Sequence, residues 1–187
     1  MEAFLVSTGV VALGEMGDKT QLLAMLLGGV FKATGNASPV SVPAKGRWMG
    51  GDITRWAARY GVPFAFNPHF PINTLTLMRG AVGVQLRHPA LFTRYVDAIF
   101  NAMWAQPRDM AQPAEMAAAL APLAADGLTA DVFMALVADA EVKAGLIKNT
   151  DEAVARGVFG APTCFVGPAM FFGQDRLDFV REALLSA

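Results

Sequence analysis

Gly157-Val158-Phe159-Gly160-Ala161-Pro162-Thr163, followed after one short hairpin by Phe171-Phe172-Gly173-Gln174-Asp175-Arg176, is the stretch on which the reading of this chain turns. A proline cannot donate to a strand ladder, so Pro162 directly before Thr163-Cys164-Phe165-Val166 belongs at a strand entrance, where a neighbouring backbone group stays free. A cis Ala161–Pro162 bond suits that sharp entry. The second part ends an aromatic strand at Gly173 and begins a segment whose apolar residues, Leu177, Val180 and Leu184, fall at helical spacing. Gln174 and Asp175 then sit at a helix start, where free N–H groups favour a carboxylate ligand and Asp175 can accept from an ammonium. The same residues also read as a plain hairpin turn at Gly167-Pro168-Ala169 and an N-cap at Asp175.

Upstream, residues 28–43 are small and turn-rich, which predicts an ordered loop after a strand. Helical spacing runs from Pro43 to Tyr60 and stops at Gly61. Val62–Phe66 reads as a short extended segment, and Asn67-Pro-His-Phe-Pro-Ile-Asn73 as a rigid loop, because the residue before each proline is pushed away from helix. Thr74 to Arg156 is helical with breaks. Leu91, Tyr95, Ile99 and Met103 repeat at one four-residue step, and Met134, Ala138 and Val142 at another, as core packing requires. Pro89, Pro107, Pro113 and Pro122 mark breaks or first turns. The order predicted is a strand–helix–strand unit, a helical insertion, then a ββα unit.

The 187 residues suffice for a substantial core, and a net charge of −1 provides no basic field for nucleic acid or anionic lipid. The one cysteine, Cys164, excludes an internal disulfide and any C-x-x-C redox centre, and is expected to be a buried strand residue. Neither His69 nor His88 stands at metal-ligand spacing, so no metal is expected.

The opening stretch, together with Leu26–Asn36, Val42–Trp48, Asn67–Thr74 and Asn149–Gly157, resembles the 2-hydroxychromene-2-carboxylate isomerases and their relatives, the kappa-class glutathione transferases, from about Leu26 onward. The resemblance implies an α/β fold of thioredoxin-like type over residues 26–187 with a large all-helical insertion at about 74–156. It also implies glutathione. Lys45 would pair with the glycyl carboxylate, Asn36 would hydrogen-bond nearby backbone, Ala161 before Pro162 would pair main chain to main chain with the cysteinyl unit, and Gln174 with Asp175 would hold the γ-glutamyl end. Trp48, Phe70 and Asn73 are candidates to wall the pocket of a small aromatic substrate. In the family the thiolate adds to the substrate, the opened ring rotates about a carbon–carbon bond, and the thiolate leaves. The alternatives are a kappa-like transferase acting on another electrophile, a glutathione-binding body without turnover, and a membrane-tethered fragment. A cytoplasmic location is expected, and a homodimer is left open.

Residues 1–25 depart from the family, whose first strand and aromatic turn carry a thiol-activating serine before a helix. Here Glu15-Met-Gly17-Asp18-Lys19-Thr20 and the apolar run before it resemble the first helix of a family of multi-pass membrane cation transporters marked by Glu-x-Gly-Asp-Lys-Ser/Thr. The uncharged run Ala3–Gly14 is shorter than the roughly 18–20 residues that span a bilayer, and it lacks the charged start and cleavage site of a signal peptide. An apolar helix packed on the domain, with Glu15 and Asp18 solvated, is therefore expected, and the chain reads as composite, its first strand–helix unit atypical or missing. A remaining reading takes Phe4–Gly9 as strand and turn with Ser7 as the catalytic hydroxyl; the short spacing to Asn36 argues against it.

Overall fold

Proline opens and glycine closes the second helix of the computed structural model, which describes residues 27–37 and 41–186. In chain order the helices are α1 (Leu27–Thr34), α2 (Pro43–Tyr60), α3 (Leu75–Arg87), α4 (Phe92–Phe100), α5 (Pro113–Leu120), α6 (Ala130–Ala138) and α7 (Ala140–Ala155). Strands β1 (Thr163–Val166) and β2 (Ala169–Phe172) follow, then α8 (Leu177–Ser186). Pro43 occupies the first turn of α2, where its missing N–H costs nothing. At the other end Gly61 N–H donates to Ala58 O and Val62 N–H to Ala57 O, so the last carbonyls are satisfied.

Two compact units are present, one of Met1–Val62 with Asn149–Ala187 and one of Pro63–Lys148. In the first, β1 and β2 pair antiparallel with Thr163 opposite Phe172 and Val166 opposite Ala169, and α8 packs on both strands. Cys164 lies buried in β1, and burial pushes its thiol pKa up, which disfavours the reactive thiolate. The Arg156 guanidinium lies 3.6 Å over the buried Phe165 ring.

The second unit is helical. Leu91, Tyr95, Ile99 and Met103 are all buried, as their four-residue step requires. Tyr95 donates its hydroxyl to Leu77 O at 2.7 Å, which satisfies the phenol in an apolar surround that keeps it protonated. A π-helical turn at Asn101–Ala105 shifts the hydrogen-bond ladder and leaves carbonyls to be capped from outside. The chain at 65–67 caps two of them: Ala65 N–H reaches Trp104 O at 2.6 Å, and the buried Asn67 side chain donates to Met103 O and Arg108 O at 2.9 Å each. No single helix among the described residues is long and apolar enough to cross a membrane.

Three expectations are corrected. Residues 27–34 form a helix and not a loop, because Gly29 is there for close approach: a Cβ on it would stand 2.9 Å from Thr150 Cγ2. The second strand of the predicted strand–helix–strand unit does not form at the segment Val62–Phe66, since Ala65 N–H is taken by the π-turn carbonyl instead of a ladder, and no strand precedes β1 among the described residues. The Met134–Ala138–Val142 stripe holds only at Val142, which is fully buried, because the helix breaks at Asp139: Met134 is 51% exposed, and Phe133, Leu136 and Val137 face the core. In α8, Leu184 is exposed as well. The reading of Phe4–Gly9 and of the Glu15–Thr20 motif lies outside the described residues.

Candidate functional site

The loop between α7 and β1 has its carbonyls assigned one by one. Phe159 O accepts from Asn36 Nδ2 at 2.9 Å, Gly160 O from Thr163 Oγ1 at 2.7 Å, and Pro162 O from Gly173 N–H at 2.9 Å. Ala161 stands among them half-buried, with neither its N–H nor its C=O bonded to another described residue. The Ala161–Pro162 bond is cis. Phe159 and Phe172 pack ring on ring at 4.6 Å beside this loop, close enough that a Cβ on Gly160 would meet Phe172 at 2.9 Å. The result is one residue, Ala161, with both backbone groups unbonded among the described residues, at a strand entrance whose other carbonyls are held.

Gln174 and Asp175 occupy a single 3-10 turn, Gln174–Arg176, that leads into α8. The capping position is Gly173, so Asp175 is not the N-cap; its carboxylate accepts from Arg176 Nη1 at 2.6 Å and stays half-exposed. Gly173 has φ 106° and ψ 146°, a conformation open essentially to glycine alone. Its Cα lies under the Asp175 carboxylate: an added Cβ would be 2.5 Å from Oδ1. The Gly173–Pro162 hydrogen bond therefore joins the open loop to the acidic helix start.

Of the residues singled out in the sequence, Asn36 is bonded to the 159–162 loop through Phe159 O, Pro162 is bonded to Gly173, and Ala161, Gln174 and Asp175 neighbour these positions in the chain. Asn36 follows α1, and its Oδ1 accepts from Ala37 N–H at 2.8 Å. Lys45 projects from the first turn of α2, exposed and without an ion-pair or hydrogen-bond partner for its ammonium among the described residues. Trp48, also on α2, is 63% exposed. Phe70 and Asn73 belong to the helical unit. Phe70 packs on Trp104 at 5.7 Å and edge-on to Phe66 at 6.4 Å, while Asn73 Oδ1 accepts from Leu75 N–H at the start of α3. Ser7 lies outside the described residues. His69 sits in the loop after Asn67, 3.9 Å from an Asp109 oxygen, and His88 ends α3.

Three neighbours had no site role assigned from the sequence. Gly173 and Arg176 bracket Asp175, a placement that only the 3-10 turn creates. Tyr60, at the end of α2, stacks on Trp56 at 5.4 Å. Burial first, with the Asp178 and Asp175 carboxylates behind it and Arg59 opposing, pushes its phenol pKa up and keeps it a hydrogen-bond donor.

The DSBA-like thioredoxin domain model matches residues 19–185. This chain belongs to the DSBA-like thioredoxin family. Within it, the chain is 33% identical over 159 residues to 2-hydroxychromene-2-carboxylate isomerase of Sphingobium xenophagum, covering 82% of this chain and 76% of that protein. It is 26% identical over 173 residues to human glutathione S-transferase kappa 1, covering 88% and 76%. A solved structure of 2-hydroxychromene-2-carboxylate isomerase superposes with a TM-score of 0.71 at 27% identity, covering 86% of this chain and 76% of that one. The thioredoxin-like fold inferred from the sequence is thus the fold of this family, here mostly helical with a two-stranded sheet. Its relatives are enzymes acting on small molecules.

Proposed function

We propose that this DSBA-like thioredoxin domain is a glutathione-dependent isomerase of the 2-hydroxychromene-2-carboxylate type, acting on a small aromatic substrate. The observation that carries the reading is Ala161, the one residue of loop 159–162 whose N–H and C=O both lack a partner among the described residues, set between the bonded carbonyls of Gly160 and Pro162 and joined through Gly173 to Asp175. Such an edge suits a ligand that is itself a peptide, and the carboxylate at the adjoining helix start suits an ammonium at one end of it. Glutathione has both features and, when bound, supplies the thiol nucleophile. Ala161 would orient the ligand through its N–H and C=O, Asp175 with Gln174 would hold the γ-glutamyl end, and Lys45 would draw the glycyl carboxylate. Asn36 retains one amide hydrogen beyond its bond to Phe159 O and would take part beside Ala161 and Pro162. Trp48, and Phe70 with Asn73, remain candidates for contact with the aromatic ring.

The likeness to the kappa transferase favours a second reading, transfer of glutathione to another electrophile. A third, glutathione binding without turnover, follows from the departure of residues 1–25 from the isomerase pattern. Ser7→Ala is expected to be almost silent, because the sequence around Ser7 lacks the family's Pro- and aromatic-rich run and its spacing to Asn36 is short; a hundredfold fall in turnover, the scale of losing one positioned polar group, would make it the catalytic hydroxyl. A cytoplasmic location and a homodimer belong to the same proposal.

One purified sample decides among these. Glutathione is titrated by calorimetry, and the ultraviolet isomerisation assay is then run with and without it. Saturable binding with glutathione-dependent isomerisation supports the isomerase; accumulation of a thioether favours the transferase; binding alone leaves the third reading; no binding overturns all three.

A further inference from the structure

Asn36 is 123 residues from Phe159 in sequence, yet its side chain ties the end of α1 to the loop that presents Ala161. Both polar atoms are engaged, Nδ2 on Phe159 O at 2.9 Å and Oδ1 on Ala37 N–H at 2.8 Å, so the amide bridges two backbone segments and its orientation is fixed by both. We infer that Asn36 is a positioning residue, which clamps the Phe159–Pro162 loop in its open form before any ligand arrives, in addition to whatever it contributes to a ligand directly. This inference rests on the glutathione reading for its functional consequence, though not for the clamp itself.

The loop has few other restraints. Its amides at Phe159, Gly160 and Ala161 have no described backbone acceptor, and it is held by the Thr163 hydroxyl on Gly160 O, by Gly173 N–H on Pro162 O, and by the Phe159–Phe172 ring pair. Three of these four restraints are local to residues 159–173; among the described residues, the Asn36 bond is the one that anchors the loop to the end of α1. Loss of that bond frees Phe159 to move with Phe172, and with them the strand entrance on which Ala161 sits. A preformed site binds more tightly than one that must be ordered on binding.

Asn36→Asp is nearly isosteric and keeps an acceptor for Ala37 N–H, but sets a carboxylate oxygen against Phe159 O in place of a donor. Residue-resolved hydrogen exchange by NMR on the full chain, free of glutathione, reads the clamp at the Gly173 amide, whose acceptor is Pro162 O, and at the Val158 amide, whose acceptor is Ala153 O. Exchange there is expected to rise about five- to tenfold, the scale of one lost hydrogen bond. Thr129→Ala, which removes the N-cap of α6 in the helical unit, serves as a control and leaves both amides unchanged. Glutathione affinity measured on the same samples is expected to fall about tenfold in Asn36→Asp only. Unchanged exchange at Gly173 and Val158 in Asn36→Asp overturns the clamp, even where affinity falls, because a residue acting only on the ligand cannot alter the free protein. An equal rise in Thr129→Ala also overturns it. If the parent chain does not bind glutathione, the functional reading fails by that result alone, and the exchange rates still decide the clamp.

Discussion

Gly173 donates its backbone N–H to Pro162 O at 2.9 Å, and this one bond couples the strand entrance at Ala161 to the carboxylate of Asp175 two residues further on. The geometry at Gly173 permits it because no side chain occupies the space: φ is 106°, and a Cβ would lie 2.5 Å from Asp175 Oδ1.

Gly173→Ala is therefore expected to destabilise the fold by about 1–3 kcal/mol, the cost of a backbone conformation that other residues rarely adopt, and to displace the Asp175 carboxylate. Urea denaturation reads the first effect, and calorimetric titration with glutathione the second, as a loss of affinity beyond that of Asp175→Ala in stability-matched conditions. A variant as stable as the parent would show that the turn relaxes without strain.

Asp175→Ala and Lys45→Ala are each expected to weaken glutathione binding by about tenfold or more, since a hydrogen bond to a charged group contributes roughly 1.5–3 kcal/mol. For Asp175 the Arg176 guanidinium at 2.6 Å competes with any ligand ammonium, so Arg176→Ala is expected to tighten binding modestly. If both Asp175→Ala and Lys45→Ala bind as tightly as the parent, the site is misassigned.

Asn67→Ala is expected to cost about 2–4 kcal/mol, because Asn67 is fully buried and its removal leaves Met103 O and Arg108 O without their donor. The same side chain accepts from His69 N–H at 2.9 Å, so the loop that carries Phe70 loosens too. Equilibrium urea unfolding checks it; a midpoint within error of the parent would mean that water replaces all three bonds.

Asp139→Ala gives a pH signature. The Val142 and Glu141 N–H groups, and the nearby Arg87, hold the Asp139 carboxyl below its usual value. A depressed folded-state pKa stabilises fully above the unfolded value of about 3.9 and loses that contribution as pH falls through the folded one. The urea midpoint of Asp139→Ala is thus expected to lie below that of the parent at pH 7, with the gap closing as pH falls below about 4. A gap independent of pH would assign the whole effect to helix capping by shape.

Much of the fold was legible because its signals are local. Pro43 and Gly61 bound α2 through chemistry confined to a turn at each end, and Pro113 opens α5 in the same way. The Leu91–Met103 stripe was readable because the chain stays helical from the 3-10 turn that ends at Leu91 through α4 into the π turn; the Met134–Val142 stripe was not, because Asp139 ends one helix and begins the next. At the site, the sequence pointed to Ala161-Pro162 and Gln174-Asp175, which are special by their own backbone chemistry. It assigned no role to Tyr60 or Arg176, ordinary helical residues whose position relative to Asp175 matters.

By itself, then, the sequence determined where α2 starts and stops, where α5 opens and where β1 begins, since proline and glycine act on residues a few positions away. It also determined that a strand entrance and an acidic helix start lie within one short segment. Only the tertiary structure decided that Gly29 is a contact and not a turn, that Asn36 holds Phe159 O, and that the Ala161 carbonyl is left open while those of Phe159, Gly160 and Pro162 are bonded. A hydrogen bond between residues 123 positions apart depends on how the rest of the chain packs, and no local propensity encodes that distance.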